Sequence, residues 1–336
     1  MSRTVFMFIR GYMVNADAKV TTYHANDLIA WLLEGDVSIQ FQVQRDLLKT
    51  NKPKQKQLQK RITTEGWGAR FLALQNDNGH WGSGFYQQQW TSTHYTLLDL
   101  KHLGITQHHK HIQQTLALIL QTLKGPDGGI YPVHTKQRSD VCINGMFLNY
   151  AAYFGVKEDD LKSIVDFLLT EHMLDGGFNC YSNTKGAKHS AMNSTLCVIE
   201  GILEYTRNGY QYKLEALQAA EMQSREFLLK HHLFRSDKTG LIIDKKMLML
   251  SYPSRWKYDI LRVLDYFHFA GVAYDARMAD AIEVLLKKQR ADHRWPLQAK
   301  HSGQTHFNME KAGSPSRWNT LRALRVLQHF NINPIA

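Results

Sequence analysis

The chain has 336 residues, 43% of them hydrophobic and 21% charged, enough apolar material for a sizeable core. Its formal net charge of +11, with 17 histidines besides, suits a basic surface or an anionic ligand. No helix-turn-helix, zinc knuckle or RNA-binding signature accompanies that charge, so nucleic acid is not an expected partner. The cysteines Cys142, Cys180 and Cys197 are odd in number and widely spaced, which argues against a disulfide framework and for a reducing cytoplasm.

The first 20 residues read as a partly flexible extension. Their apolar run Val5-Phe6-Met7-Phe8-Ile9 is too short for a signal core or a membrane span, and Met13 offers a second start. No stretch reaches the roughly 18 apolar residues of a spanning helix. From residue 21 to 336 there is no Ser/Gly/Pro-rich linker, so one domain is expected.

A first helical pair is predicted at 27–48 and 58–74. Helices at 91–103, 140–154, 190–205, 254–269 and 315–330 follow, and between them run amphipathic stripes. These are Ile112, Leu116, Ile119 and Leu123; Leu161, Ile164 and Leu168; and Met278, Ile282, Leu285 and Leu286. All seven prolines fall between these segments. A proline inside a helix costs about 3 kcal/mol, so this placement supports the assignments.

A turn recurs ahead of each later helix. It contains Asp77 before Gly79 and Trp81, Asp127 before Gly128 and Ile130, Asp175 before Gly176 and Phe178, Asp237 before Gly240 and Leu241, and Asp292 before Trp295. The aspartates lie 50, 48, 62 and 55 residues apart. That period is one helical hairpin with its loops, stacked on its neighbours. Glycine ends the preceding helix, Asp bonds nearby backbone, and the apolar residue pins the loop to the next hairpin. Five or six hairpins that cannot bury their faces alone close into a ring. The expected fold is all-α, an α/α toroid.

The segments Gln75–Trp81 and Gln289–Trp295 resemble the Gln-Trp repeats of squalene and oxidosqualene cyclases. Asp175-Gly176-Gly177-Phe178 is similar to the matching loop of protein prenyltransferase β-subunits, and the resemblance spans roughly residues 65 to 330. The chain also looks like bacterial proteins known only as prenyltransferase- or cyclase-like. The resemblance implies an isoprenoid or isoprenoid diphosphate in a central cavity, worked on by a transferase, lyase or cyclase. Prenyltransferase β-subunits also need a partner subunit, and this sequence does not identify one.

In those β-subunits an Asp-x-Cys at an inner-helix entry and a histidine near the next inner helix bind zinc. The matching residues here are Asp140, Cys142 and His189, with Cys180 as an alternative ligand. A carboxylate, thiolate and imidazole leave zinc's fourth position for substrate. The second reading of the same cysteines is small core residues.

Basic residues upstream, Lys136 and Arg138, match the family's diphosphate-holding positions. The repeated Ser-Arg-Trp at 254–256 and 316–318 is expected to open two inner helices. It would place Arg255, Lys257 and Arg317 at an anion-binding mouth, and Trp90, Tyr95, Trp256 and Trp318 along the cavity. Its bland reading is a serine cap beside a buried ring.

There is no Asp-x-Asp-Asp acid and no Asp-Asp-x-x-Asp. Asp159-Asp160 read as helix N-terminal acids. No catalytic residue is assigned. Two further functions stay open. One is a carbohydrate-active α/α barrel using acids among Asp127, Asp175, Asp259 and Glu200. The other is a non-catalytic ring that binds protein or lipid.

Overall fold

A computed structural model describes residues 18–132 and 138–333. Its regular elements are helical, and the only β features among the described residues are isolated bridges. In chain order the helices are α1 (Ala18–Leu33), α2 (Val37–Gln42, prolonged by a π turn over Val43–Leu47), α3 (Lys52–Arg61), α4 (Gly66–Leu72), α5 (Thr93–Leu103), α6 (Lys110–Leu123) and α7 (Val141–Tyr153). Then come α8 (Glu158–Thr170), the short α9 (Ser182–Lys185), α10 (Met192–Arg207), α11 (Leu214–Lys230), α12 (Ile260–Phe269), α13 (Ala279–Lys287) and α14 (Arg317–His329).

Burial sorts them into two shells. From Ile143 to Ala152, every residue of α7 is buried, and α5 is buried from Thr93 to Leu100. The outer helices α6 and α8 bury one stripe each, Ile112, Leu116, Ile119 and Leu123 on α6 and Leu161, Ile164 and Leu168 on α8. A helix apolar on one face packs as an outer layer, and one buried all round stands inside.

The inner helices form a closed circuit that hydrogen bonds trace link by link. His94 on α5 meets the Tyr150 hydroxyl on α7 at 3.0 Å. Asn149 on α7 donates to the Glu200 carbonyl on α10 at 2.9 Å, and Arg262 on α12 donates to the Glu200 carboxylate at 2.6 Å. Arg325 on α14 donates to Asp265 on α12 at 2.6 Å, and to the Gln42 side chain on α2 at 3.0 Å. Gln42 then donates to the His102 carbonyl on α5 at 2.8 Å. Six helices therefore enclose an axis, and the fold is the expected α/α toroid.

The repeat turns are built as the sequence implies. The Trp81 indole donates to the Phe71 carbonyl at 2.7 Å, and the Trp295 indole donates to Leu285 at 2.8 Å, ten residues back in each case. The backbone N–H groups of Trp81, Ile130, Phe178 and Trp295 donate to Thr93, Asn144, Thr195 and Thr320, at 2.7–3.0 Å. Each turn is thereby hooked to the inner helix it precedes. Asp127 and Asp175 accept from the backbone N–H groups of Ser139 and Ser190, so both acids belong to the scaffold.

Three element boundaries differ from expectation. The 27–48 segment breaks at Asp36, which caps α2 through Ser38 N–H at 2.9 Å and also accepts from Trp67 N–H at 2.8 Å. The 58–74 segment breaks over residues 62–65, and α4 opens at Gly66, whose φ of +64° lies in the left-handed region and keeps α3 from running on into α4. Helix α12 starts at Ile260 rather than residue 254, because Asp259 caps it and Arg255 holds φ +57°.

Candidate functional site in the centre of the ring

The inner helices run parallel with their N-termini at one mouth, and residues 297–316 fold over the α5 and α14 side of it. The Trp90 indole donates to the Ser302 carbonyl at 2.5 Å, His306 meets the Thr96 hydroxyl at 3.0 Å, and Phe307 packs on Phe71 with ring centres 4.6 Å apart. Glu310 accepts from Arg317 N–H at 2.7 Å and tethers the far end of this segment to α14.

The basic and aromatic residues expected at that mouth are therefore largely spent on structure. Arg255 is buried against the Asp99 carboxylate, its guanidinium over the Trp90 and Tyr95 rings. Burial, opposed by Arg255, lifts the Asp99 carboxyl to about 6. Arg317 donates to the Trp31 carbonyl at 2.9 Å, Arg138 to the Asn183 carbonyl, and Lys257 lies 3.5 Å over the Trp256 ring. These four do not converge on one point. Lys136 lies outside the described residues. Trp90 and Tyr95 are buried against each other, ring centres 4.9 Å apart; Trp90 borders a small pocket beneath residues 300–310, and neither ring lines the central cavity. Of the four expected cavity aromatics, Trp318 lines the central cavity.

The expected metal set is divided. Asp140, Cys142 and Cys180 stand together, one ligand atom of each within 4.8 Å of the others. Asp140 caps α7 with its carboxylate 3.0 Å from the Cys142 sulfur, and Ser194 donates to the Cys180 sulfur at 3.1 Å. Cys142 and Cys180 pair as a disulfide with Cα atoms 5.9 Å apart, where three separate thiols were expected. The repeat turn ahead of α10 carries Cys180 to the entry of α7, a meeting that sequence spacing does not show. His189 stays outside this cluster: its side chain is 81% exposed and faces Asp175 at 3.9 Å. Cys197 is buried beside Arg262, and burial pushes its thiol up to about 11.

The main open space lies inside the ring, between the first turns of α12 and α14 and the C-terminal ends of α5 and α10. A cavity of about 350 Å³ is bounded by Lys101 and His102 on α5, Asn149 and Tyr153 on α7, and Glu200, Glu204 and Arg207 on α10. Asp265, Tyr266 and Phe269 on α12, and Trp318, Arg322 and Arg325 on α14, complete its wall with Gln42, Arg45 and Tyr252.

Its charges are organised as ion pairs. Lys101 meets Glu204 at 2.9 Å, Arg262 meets Glu200 at 2.6 Å, and Arg325 meets Asp265 at 2.6 Å and Asp46 at 2.8 Å. Burial raises the Asp46 carboxyl, but Arg45 and Arg325 outweigh it and hold the group at about 2. For Asp265, burial is likewise overcome by Arg325 and Arg322, and its carboxyl is lowered. Burial among these cations drives the His102 imidazole well below its ordinary value, so it is neutral at pH 7.

Of these wall residues the sequence reading singled out Glu200 and Trp318. The signal for the rest is a charge on a helix that is otherwise buried. Glu200 and Glu204, Arg262 and Asp265, and Arg322 and Arg325 lie three or four residues apart on inner helices, where a solvated face is not available.

No protein-family model matches the chain, and no curated protein matches it. Among solved structures, the type II terpene cyclase MstE from Scytonema, in complex with its product merosterolic acid A, aligns over 81% of this chain and 95% of its own. The identity is 15% and the TM-score 0.30. The toroid assignment rests on the helix contacts described above. Among the described residues, no helix is long and apolar enough to cross a membrane.

Proposed function

We propose that the protein binds a small molecule inside the ring, an isoprenoid or isoprenoid diphosphate, and transforms or carries it. The observation that supports this is the composition of the cavity wall. Tyr153, Tyr252, Tyr266, Phe269 and Trp318 offer apolar faces, and guanidinium groups stand between them. Such a wall suits an amphipathic ligand: the rings take a hydrocarbon chain and the cations a polar head. A cytoplasmic location is part of this reading.

A zinc-assisted version uses Asp140, Cys142 and Cys180. Once the cysteines are reduced, this carboxylate and two thiolates fit three positions of a tetrahedral ion, and His189 would not take the fourth. Bound zinc would supply Lewis acidity there, while Ser194 and the α7 cap orient the ligands. Elemental analysis of reduced wild-type and Cys142→Ala proteins checks it: about one zinc per chain, lost in the variant, is expected.

One observation also favours a carbohydrate reading, namely the three carboxylates Glu200, Glu204 and Asp265 on the cavity wall. All three are tied to arginine or lysine, which suits electrostatics better than proton transfer. Thermal unfolding with geraniol, geranyl diphosphate and a malto-oligosaccharide separates the readings. A ligand at 100 times its Kd stabilises by about 2.7 kcal/mol. Stabilisation by a prenyl compound alone is expected, and stabilisation by the sugar alone would overturn the proposal.

A further inference from the structure

The charges on the cavity wall do not match one to one. Asp265 is shared between two arginines: Arg325 takes both its oxygens at 2.6 Å, and Arg322 reaches it through Nε alone at 3.2 Å. Asp259, the other carboxylate near Arg322, is spent on capping α12 through Arg262 N–H at 2.8 Å and on the Ser251 hydroxyl at 3.2 Å. The Arg322 side chain is 6% exposed, and its Nη1 is buried with no hydrogen-bond partner. One turn earlier on α14, the indole Nε1 of Trp318 is also buried with no partner, in a residue 1% exposed. Positions i and i+4 share a helix face, and both residues line the cavity.

Two buried donors without acceptors are costly, and more so when one carries a charge. An unpaired indole N–H cannot be relieved by a change of protonation, and an arginine does not lose its proton. An anionic oxygen pair is the chemistry that satisfies both groups.

We infer that Trp318 Nε1 and Arg322 Nη1 receive an oxyanion of the ligand, a carboxylate or a phosphate, at the α14 side of the cavity. This inference rests on the reading that the cavity is the ligand site. It places the ligand's head against the first two turns of α14, on the cavity side of that helix. Tyr252 stacks on Trp318, ring centres 4.6 Å apart, and fixes the plane in which the indole donates.

Calorimetric titration with geranyl diphosphate, geranic acid and geraniol tests it, since the three share one chain and differ in the head. Wild-type protein is expected to bind one of the two anions at least about tenfold tighter than the alcohol. Whichever anion prevails identifies the head as phosphate or carboxylate. Arg322→Gln is expected to remove that advantage of anion over alcohol. Trp318→Phe, which keeps a ring but no donor, is expected to lose a smaller part, about fivefold. Because Trp318→Phe leaves every ion pair in place, it reads the site even if Arg322→Gln fails to fold. Equal binding of alcohol and anions by the wild type, or anion affinity unchanged in Trp318→Phe, would overturn the inference while the cavity reading stands. Binding of none of the three would overturn both.

Discussion

Single side chains set the electrostatics of the ring, and Asp46 carries the greatest consequence. It stands between Arg45 and Arg325 with its side chain 6% exposed, so it bridges the first inner helix to the last. Removing one member of such a buried cluster leaves a cation without compensation, a loss of about 3 kcal/mol. Asp46→Asn is therefore expected to be that much less stable than wild type in urea at pH 7. The folded carboxyl, at about 2, is lower than its ordinary value of 3.8. A lowered acid stabilises above its unfolded value and loses that contribution as pH falls through the folded one. The wild-type advantage over Asp46→Asn should be full above pH 4 and shrink by about 2 kcal/mol towards pH 2. A gap independent of pH would show that Asp46 acts by packing alone. Residues at this scale were the least legible in the sequence. Asp46, Glu204, Arg262, Asp265, Arg322 and Arg325 belong to no motif, and their partners lie across the ring. Asp140 and Cys142 were singled out by their resemblance to an Asp-x-Cys helix entry, which is a local pattern, and Cys180 joins them only through the folding of a turn.

At the scale of elements, the repeat turns and the inner helices have separate signatures. The Trp81 and Trp295 turns were legible because one local geometry recurs, an indole bonded ten residues back and a backbone N–H bonded to the next helix. The start of α12 was not, because Ser254-Arg255-Trp256 copies the Ser-Arg-Trp of α14 while only Ser316 caps a helix, accepting from Asn319 N–H at 2.9 Å. Arg255 instead turns back at φ +57° to reach Asp99 on α5. Helix pairing rests on small residues that also escape a periodicity argument. At Gly145 on α7, an added Cβ would lie 2.7 Å from Val198 Cα on α10. The two backbones are in contact, and a methyl group must push them apart. Alanine gains about 1 kcal/mol of helix propensity over glycine, and overpacking costs about 1–3 kcal/mol. Gly145→Ala is expected to be net destabilising, by up to about 2 kcal/mol in urea unfolding. A more stable variant would mean that α7 and α10 separate freely.

The whole molecule is a ring whose first and last inner helices close on each other. Arg325 reaches Gln42 and Asp46, and Arg317 reaches the Trp31 carbonyl, 286 residues away in sequence. This closure gives the toroid an inside. The architecture was legible from the 50-residue period, since hairpins with one apolar face must stack. The character of the inside was not. A central cavity with an anion-binding mouth was the expectation; residues 297–316 fold over the α5 and α14 side of that mouth, and the main open space is walled by ion pairs and rings. The segment reads as a loop in sequence, and only its contacts with Trp90, Thr96 and Phe71 show that it is a cover.

The central claim is that this inner space is the ligand site, and one measurement tests it most directly. Leu203 lines the cavity from α10 without joining any of its ion pairs, so Leu203→Trp would fill the space and leave the charges in place. Titration calorimetry with geranyl diphosphate is predicted to give one site per wild-type chain and no heat of binding in Leu203→Trp of unchanged helical content. Equal binding by both proteins would place the ligand elsewhere and contradict the account.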